Sequence, residues 1–70
     1  MKQIDRSTIV LVPCRKKPMV VHCAQINEPF QVEAIEGLLT GQAGDYLMRG
    51  VEGEFYICAK HIFEKTYELV

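Results

Sequence analysis

The chain has 70 residues, of which 49% are hydrophobic and 24% charged. This length and composition are typical of one small globular domain, spanning residues 1–70, and exclude a disordered tail or a pair of domains. The net charge of -1 removes the general attraction to phosphate that DNA- and RNA-binding proteins show, so nucleic acid is disfavoured as a partner.

Two β-prone segments open the chain. Residues 7–12 (STIVLV) are β-branched and apolar, and Pro13 ends them because proline cannot donate a ladder hydrogen bond. Residues 19–26 (MVVHCAQI) form a second β-rich run after a short basic turn at residues 15–17. We expect a strand at each place.

The next segment fits two periodicities. Residues 30–36 alternate apolar and polar side chains after the turn at residues 27–29, which predicts a half-buried third strand. Val32, Ile35, Leu38 and Leu39 also fit the stripe of a short helix. The pattern leaves both possibilities open, because so short a segment does not distinguish the two periods.

The second half predicts a hairpin followed by a helix. Residues 45–49 and 54–58 flank a loop whose glycines, Gly50 and Gly53, suit the positive φ angles of hairpin turns. Residues 59–66 (AKHIFEKT) predict a helix of one or two turns that packs Phe63 onto the sheet, and residues 67–70 predict a short edge strand. The expected fold is mainly β (α+β): a small antiparallel curled sheet or partly open barrel with one short helix near the C-terminus.

Charge and cysteine content predict how the protein associates and in which cellular compartment it lies. Residues 1–26 carry five bases and one acid, whereas residues 27–70 carry three bases and eight acids, so the molecule is an electric dipole that favours self-association. No segment is long and apolar enough for a membrane span. Three cysteines without metal-ligand spacing predict free thiols in a cytoplasmic protein, with no metal and no cofactor.

Several short blocks carry a resemblance to a known group of proteins. The sequence has KKPMVV at residues 16–21, GDY at 44–46, GVEGE at 50–54 and IFEKTY at 62–67. This order of blocks resembles small phage and prophage proteins of unassigned activity. The chain departs from them at Ala43, where they have proline, and at Ile57, Ala59 and Lys60, which interrupt their Tyr-Pro-x-Lys-Pro segment. The resemblance implies a phage or mobile-element origin and a cytoplasmic accessory role in which the protein binds a host protein or a small molecule.

Five residues of the predicted hairpin are candidates for binding a ligand or partner: Asp45, Tyr46, Arg49, Glu54 and Tyr56. The tyrosines are placed to stack on a ligand or to form a half-exposed sheet face, and the latter is favoured. Asp45 is expected to accept hydrogen bonds within its own Gly-rich turn, and Arg49 to form a cross-strand ion pair with Glu54.

No catalytic residues are predicted. Cys58 and His61 would form a thiol-imidazole pair only if a helix began by Cys58, and a buried cysteine near a helix-terminal histidine is the simpler interpretation. The sequence therefore favours a non-enzymatic binding module that acts as a homo-oligomer, with a host or phage protein or a small molecule as further partner. The alternative is a small hydrolase or transferase that acts on a nucleotide or peptide through Asp45 and Glu54, with His61 as a further candidate.

Overall fold

The computed structural model describes residues 1–70. Its elements in chain order are β1 (His22–Gln25), β2 (Phe30–Ala34), β3 (Gly37–Gly41), β4 (Tyr46–Arg49), β5 (Phe55–Cys58) and α1 (Lys60–Thr66). The strands form two antiparallel sheets that do not close, with the order β1-β4-β5 in one and β2-β3 in the other. The prediction of a mainly β, antiparallel and open fold with one short C-terminal helix is confirmed.

The predicted hairpin is formed by β4 and β5. Arg49 pairs with Phe55 at the loop end, and Tyr46 pairs with Cys58 at the other end. The loop closes through two backbone hydrogen bonds, from the N–H of Gly50 to the carbonyl of Glu54 (2.8 Å) and from the N–H of Gly53 to the carbonyl of Gly50 (3.0 Å). Gly53 has a φ of 83°, a conformation that glycine adopts without strain, whereas Gly50 does not take a positive φ.

Strand β1 extends this hairpin into a three-stranded sheet. It pairs with β4 over four residues, from His22 opposite Arg49 to Gln25 opposite Tyr46, and is shorter than the predicted run of residues 19–26. Two backbone bonds continue the pairing beyond the strand: the N–H of Ile26 donates to the carbonyl of Asp45 (3.0 Å), and the N–H of Gly44 donates to the carbonyl of Ile26 (2.7 Å). Strand β4 therefore lies in the centre of the sheet, and β1 is an edge strand with no neighbour on the side away from β4.

Residues 30–39, for which the sequence left a strand and a short helix open, belong to a hairpin of β2 and β3. The two strands pair from Phe30 opposite Gly41 to Ala34 opposite Gly37. Strand β3 was not predicted, and its residues Leu38 and Leu39 do not join a helix. Gly37 has a φ of 123°, which ends β2 in a turn and interrupts the helical alternative. At the other end, the Phe30 ring covers Gly41 at the point where a Cβ atom would stand.

Two predicted strands are wrong. Residues 7–12 contain no strand, because residues 5–9 turn back on themselves through bonds such as Thr8 N–H to the Asp5 carbonyl (3.1 Å), and residues 10–12 have no strand beside them to complete a ladder. Residues 67–70 likewise contain no strand and follow α1 as irregular chain. A β-prone sequence becomes a strand only where a partner satisfies its backbone groups.

The core is very small. Only three of the 70 residues are buried, namely Met48 on β4, Cys58 on β5 and Phe63 on α1. Helix α1 packs Phe63 onto one face of the three-stranded sheet, as predicted, and half-buried side chains surround the contact: Val21, Cys23, Tyr46, Tyr56 and Tyr67. The other side chains leave much apolar surface in water, most of all in residues 1–17, which we call the N-terminal segment.

Candidate functional site

Asp45 links the turn before β4 to the start of α1. Its Oδ2 accepts a hydrogen bond from the backbone N–H of Gln42 (3.0 Å), and its Oδ1 accepts one from the backbone N–H of Lys60 (3.1 Å). Lys60 is the first helical residue, and no side chain of α1 itself caps the helix. The bond to Gln42 is the expected turn role, and the bond to Lys60 makes Asp45 the cap of a helix that lies 15 residues further along the chain.

These bonds fix the charge state of Asp45. The backbone N–H groups of Gln42 and Lys60 lower its pKa from the usual 3.8, and nearby His61 lowers it slightly further. A carboxylate with a lowered pKa is a weaker base. Asp45 is therefore poorly suited to abstract a proton from a substrate and well suited to hold two backbone segments together.

Asp45→Asn is expected to destabilise the fold at neutral pH, because an amide nitrogen would replace one of the oxygens that accept backbone N–H groups. Since the folded pKa lies below the unfolded value, the carboxylate stabilises the fold above about pH 3.8 and loses this effect as the pH falls through the folded pKa. The melting-temperature difference between wild type and variant should thus be largest at neutral pH and shrink below pH 3.8.

Asp5→Asn is the matched control for this experiment. The Asp5 pKa is also lowered, but its carboxylate bonds only Ser7, two residues away in an exposed N-terminal turn, so the same bonds form in the unfolded chain and do not favour the folded state. We expect this variant to melt at the wild-type temperature. Equal destabilisation by the two substitutions would contradict the capping role of Asp45.

The aromatic side chains form a stack over the sheet. The ring centroids of Tyr46 and Phe63 are 3.7 Å apart, with an angle of 6° between the ring planes. On the other side, the ring centroids of Phe63 and Tyr67 are 5.2 Å apart. The ammonium group of Lys16 lies 5.6 Å from the centre of the Tyr67 ring and adds a cation-π contact from the N-terminal segment. The stacking partner of Tyr46 is thus a core residue of α1.

Tyr56 shares this face with Tyr46, but the two do not stand directly opposite each other across the hairpin. Tyr46 pairs with Cys58 and Tyr56 with Met48, because the short loop fixes the strand register. The Tyr56 hydroxyl lies 3.2 Å from that of Tyr67. This hydrogen bond, together with burial, raises the pKa of Tyr56 to about 12, so its hydroxyl stays protonated at neutral pH.

Arg49 and Glu54 lie at the loop end of the hairpin, away from the aromatic stack. Arg49 is exposed and stands opposite Phe55. The Glu54 carboxylate turns to the loop instead of to Arg49: it covers Gly50 and accepts a hydrogen bond from the backbone N–H of Glu52 (3.0 Å). The expected cross-strand ion pair is replaced by a contact within the loop.

The five candidate residues are therefore divided between two places. Asp45, Tyr46 and Tyr56 lie where the sheet meets α1, and Arg49 and Glu54 lie at the loop. The two carboxylates are separated by the length of the hairpin, about 15 Å at a rise near 3.3 Å per residue, which is too far for an acid-base pair acting on one bond. Ligand binding by these residues stays a prediction.

The thiol of Cys58 lacks the features of a nucleophile. Burial raises its pKa, the Asp45 carboxylate raises it further, and Lys16 opposes the shift. Its Sγ lies 3.7 Å from the carbonyl oxygen of Ala59. A protonated, buried thiol is typical of a structural cysteine, which agrees with the interpretation made from the sequence.

Two concave surfaces were not foreseen from the sequence. A groove of about 580 Å³ lies beside the core and is lined by residues 18–23 and 66–70 together with Met48 and Phe63. A cleft of about 360 Å³ lies between the β2–β3 turn and the β4–β5 loop. We call the second surface the acidic cleft; its lining includes Glu33, Glu36 and Glu54 around Ala34, Ile35 and Phe55.

The N-terminal segment exposes four consecutive apolar side chains. Ile9, Val10, Leu11 and Val12 are 48%, 85%, 83% and 76% exposed. The backbone N–H groups of residues 10–12 donate no hydrogen bond within the chain. The apolar, β-branched composition of residues 7–12 was visible in the sequence, but its exposure was not, since a strand was expected there.

Comparisons of the chain with protein-family models, curated proteins and solved structures found no match. The resemblance to phage and prophage proteins therefore stays a prediction. The only helix, α1, has seven residues, and no helix is long and apolar enough to cross a membrane.

Proposed function

We propose that this protein is a non-enzymatic binding module that acts as a homo-oligomer, with residues 9–12 as part of the contact surface. The observation that carries the proposal is the exposure of four consecutive apolar residues, of which Val10 and Leu11 are more than four-fifths exposed. The backbone N–H groups of residues 10–12 donate no hydrogen bond within the chain and are free to pair with a strand of another molecule. Apolar side chains and open backbone groups together are typical of a segment that binds protein.

The size of the core supports self-association. Short chains bury a small share of their surface, and they commonly gain the missing burial by forming oligomers. Here Met48, Cys58 and Phe63 are the whole buried set. Covering Val10, Leu11 and Val12 in an interface would remove from water as many apolar side chains as the core of one copy buries.

The setting we propose is the cytoplasm of a phage-infected or prophage-bearing cell. Three free thiols, Cys14, Cys23 and Cys58, fit a reducing compartment. The predicted resemblance to phage proteins favours an accessory role in which the oligomer binds a host or phage protein or a small molecule. No observation favours a hydrolase or transferase, because Asp45 is held by two backbone N–H groups and Glu54 belongs to a distant loop.

The test is the mass of the particle in solution across a range of protein concentrations, by light scattering after size exclusion and by native mass spectrometry. The wild type should be a dimer or larger at micromolar concentrations and dissociate on dilution. Leu11→Asp should be monomeric at the same concentrations, because it places a charge in the interface. A wild type that is monomeric throughout would overturn the proposal.

Leu69→Asp is the matched control for Leu11→Asp. Leu69 is also an exposed leucine, at 74%, but it lies in the irregular chain after α1. The two substitutions are identical in kind, and neither affects a buried side chain. We expect Leu69→Asp to keep the wild-type mass, so that a loss of association in both variants would contradict a specific role for residues 9–12.

A further inference from the structure

The acidic cleft and the N-terminal segment have matching patterns of charge and apolar surface. In the segment, Arg6 precedes residues 9–12, and Arg15 and Lys17 follow them. In the cleft, Glu33 and Glu36 lie on the β2–β3 side and Glu54 on the loop side, with apolar side chains between them. Bases flank an apolar run on one surface, and acids flank an apolar floor on the other.

The apolar floor of the cleft is open to water. Ile35, at the β2–β3 turn, is fully exposed, and Phe55, at the start of β5, is 39% exposed. Large side chains that contact the apolar residues of another segment would lose this exposure on binding. The cleft thus offers apolar contacts as well as charge.

The basic residues of the segment are available to another molecule. Lys16 lies over the Tyr67 ring of its own chain, whereas Arg15 and Lys17 are exposed. Five of the eight bases of the chain lie in residues 1–17, and eight of its nine acids follow residue 27. The partner whose charge complements each surface is therefore a second copy of the same chain.

We infer that the N-terminal segment of one copy docks in the acidic cleft of a second copy, and that the exchange is reciprocal. Each molecule then both gives a segment and receives one, which closes a dimer with two equal contacts, the commonest symmetry among homo-oligomers. Apolar contact of residues 9–12 with Ile35 and Phe55 holds the segment, and Arg15 and Lys17 meet Glu33 and Glu36 at the rim. The inference rests on the proposed self-association and identifies the surface that receives the segment.

A charge exchange tests this arrangement. One protein carries Arg15→Glu and Lys17→Glu, and the other carries Glu33→Lys and Glu36→Lys, so that each reverses the charge on one side of the proposed rim contact. Within each protein the side chains at positions 15, 17, 33 and 36 then have the same sign, so both should lose association by about tenfold or more. In an equimolar mixture positions 15 and 17 of each protein meet positions 33 and 36 of opposite sign in the other, and a heterodimer should form.

Native mass spectrometry separates the three dimers, since the two proteins differ in mass. A third protein with Glu64→Lys and Lys65→Glu is the control, because it reverses exposed charges on α1, outside both surfaces, and should dimerise like the wild type. Circular dichroism melts establish that each protein is folded. Added salt should weaken the wild-type dimer, since the rim charges are exposed.

The outcomes separate the two proposals. A wild type that is always monomeric would overturn the proposed self-association and this inference with it. A wild-type dimer that persists in both charge-reversed proteins, or whose variants fail to form a heterodimer, would overturn the docking in the acidic cleft and leave self-association standing. A different protein seated in the cleft of a monomeric chain would overturn the assignment to a second copy.

Discussion

Phe63→Ala is expected to lower the free energy of unfolding by about 3 to 5 kcal/mol, the usual cost of removing a buried phenylalanine ring. Phe63 is 5% exposed and is the only buried side chain of α1. Its ring joins the helix to the sheet through Tyr46 and continues the stack to Tyr67. A domain of 70 residues has a total stability of about 4 to 10 kcal/mol, so the variant should be largely or entirely unfolded at 37 °C.

The measurement is urea unfolding followed by circular dichroism at a fixed protein concentration, because association would add to the apparent stability. Ile62→Ala is the matched control: it also shortens an apolar residue of α1, but Ile62 is 47% exposed. We expect Ile62→Ala to cost about 1 kcal/mol or less. Similar unfolding midpoints for the two variants would show that α1 does not pack on the sheet through Phe63.

The role of Phe63 was predictable because it depends on local patterns. The glycine-containing loop between two alternating segments specified the β4–β5 hairpin, and the uninterrupted residues 59–66 specified the helix that follows it. Elements close together in the sequence have few ways to pack. The contact between Phe63 and the sheet followed from these two elements and the single large aromatic residue on the helix.

The N-terminal segment was mispredicted for a physical reason. Residues 7–12 have the composition of a strand, but composition does not supply a neighbouring strand, and β1 pairs with β4 instead. Strand β3 was missed for the opposite reason, since Leu38 and Leu39 fit a helical stripe and the turn at Gly37 was not recognised as a hairpin. In both cases the deciding interaction is between strands, and one segment alone does not reveal it.

The candidate site was predictable only in part. That Asp45 would bond its own turn followed from its place among glycines, and the structure shows this bond to Gln42. The bond to Lys60 joins residues 15 apart, so it depends on how α1 packs against the sheet. The contacts of Tyr67 with Tyr56 and Lys16 depend on the same packing. Tertiary contacts of this kind are not encoded in the spacing of a local motif.

The three free thiols are expected to differ greatly in their rate of alkylation. Cys14 is exposed in the single chain and, at concentrations where the protein is monomeric, should react with iodoacetamide like a cysteine in an unfolded peptide. Cys58 is 8% exposed, and its raised pKa reduces the fraction of reactive thiolate at neutral pH. If Cys58 reacts only when the domain opens, a stability near 4 kcal/mol slows it by about a thousandfold relative to Cys14.

Timed alkylation followed by peptide mapping gives the rate at each cysteine. Cys23, which is half-buried on β1, should react at an intermediate rate. Two controls separate the effect of the fold from that of the reagent. In concentrated urea Cys14 and Cys58 should react at similar rates, and in Phe63→Ala the gap should shrink because the domain opens more often. Alkylation of Cys58 as fast as Cys14 in the native wild type would contradict a core built on Met48, Cys58 and Phe63, since the thiol would then be reached without unfolding.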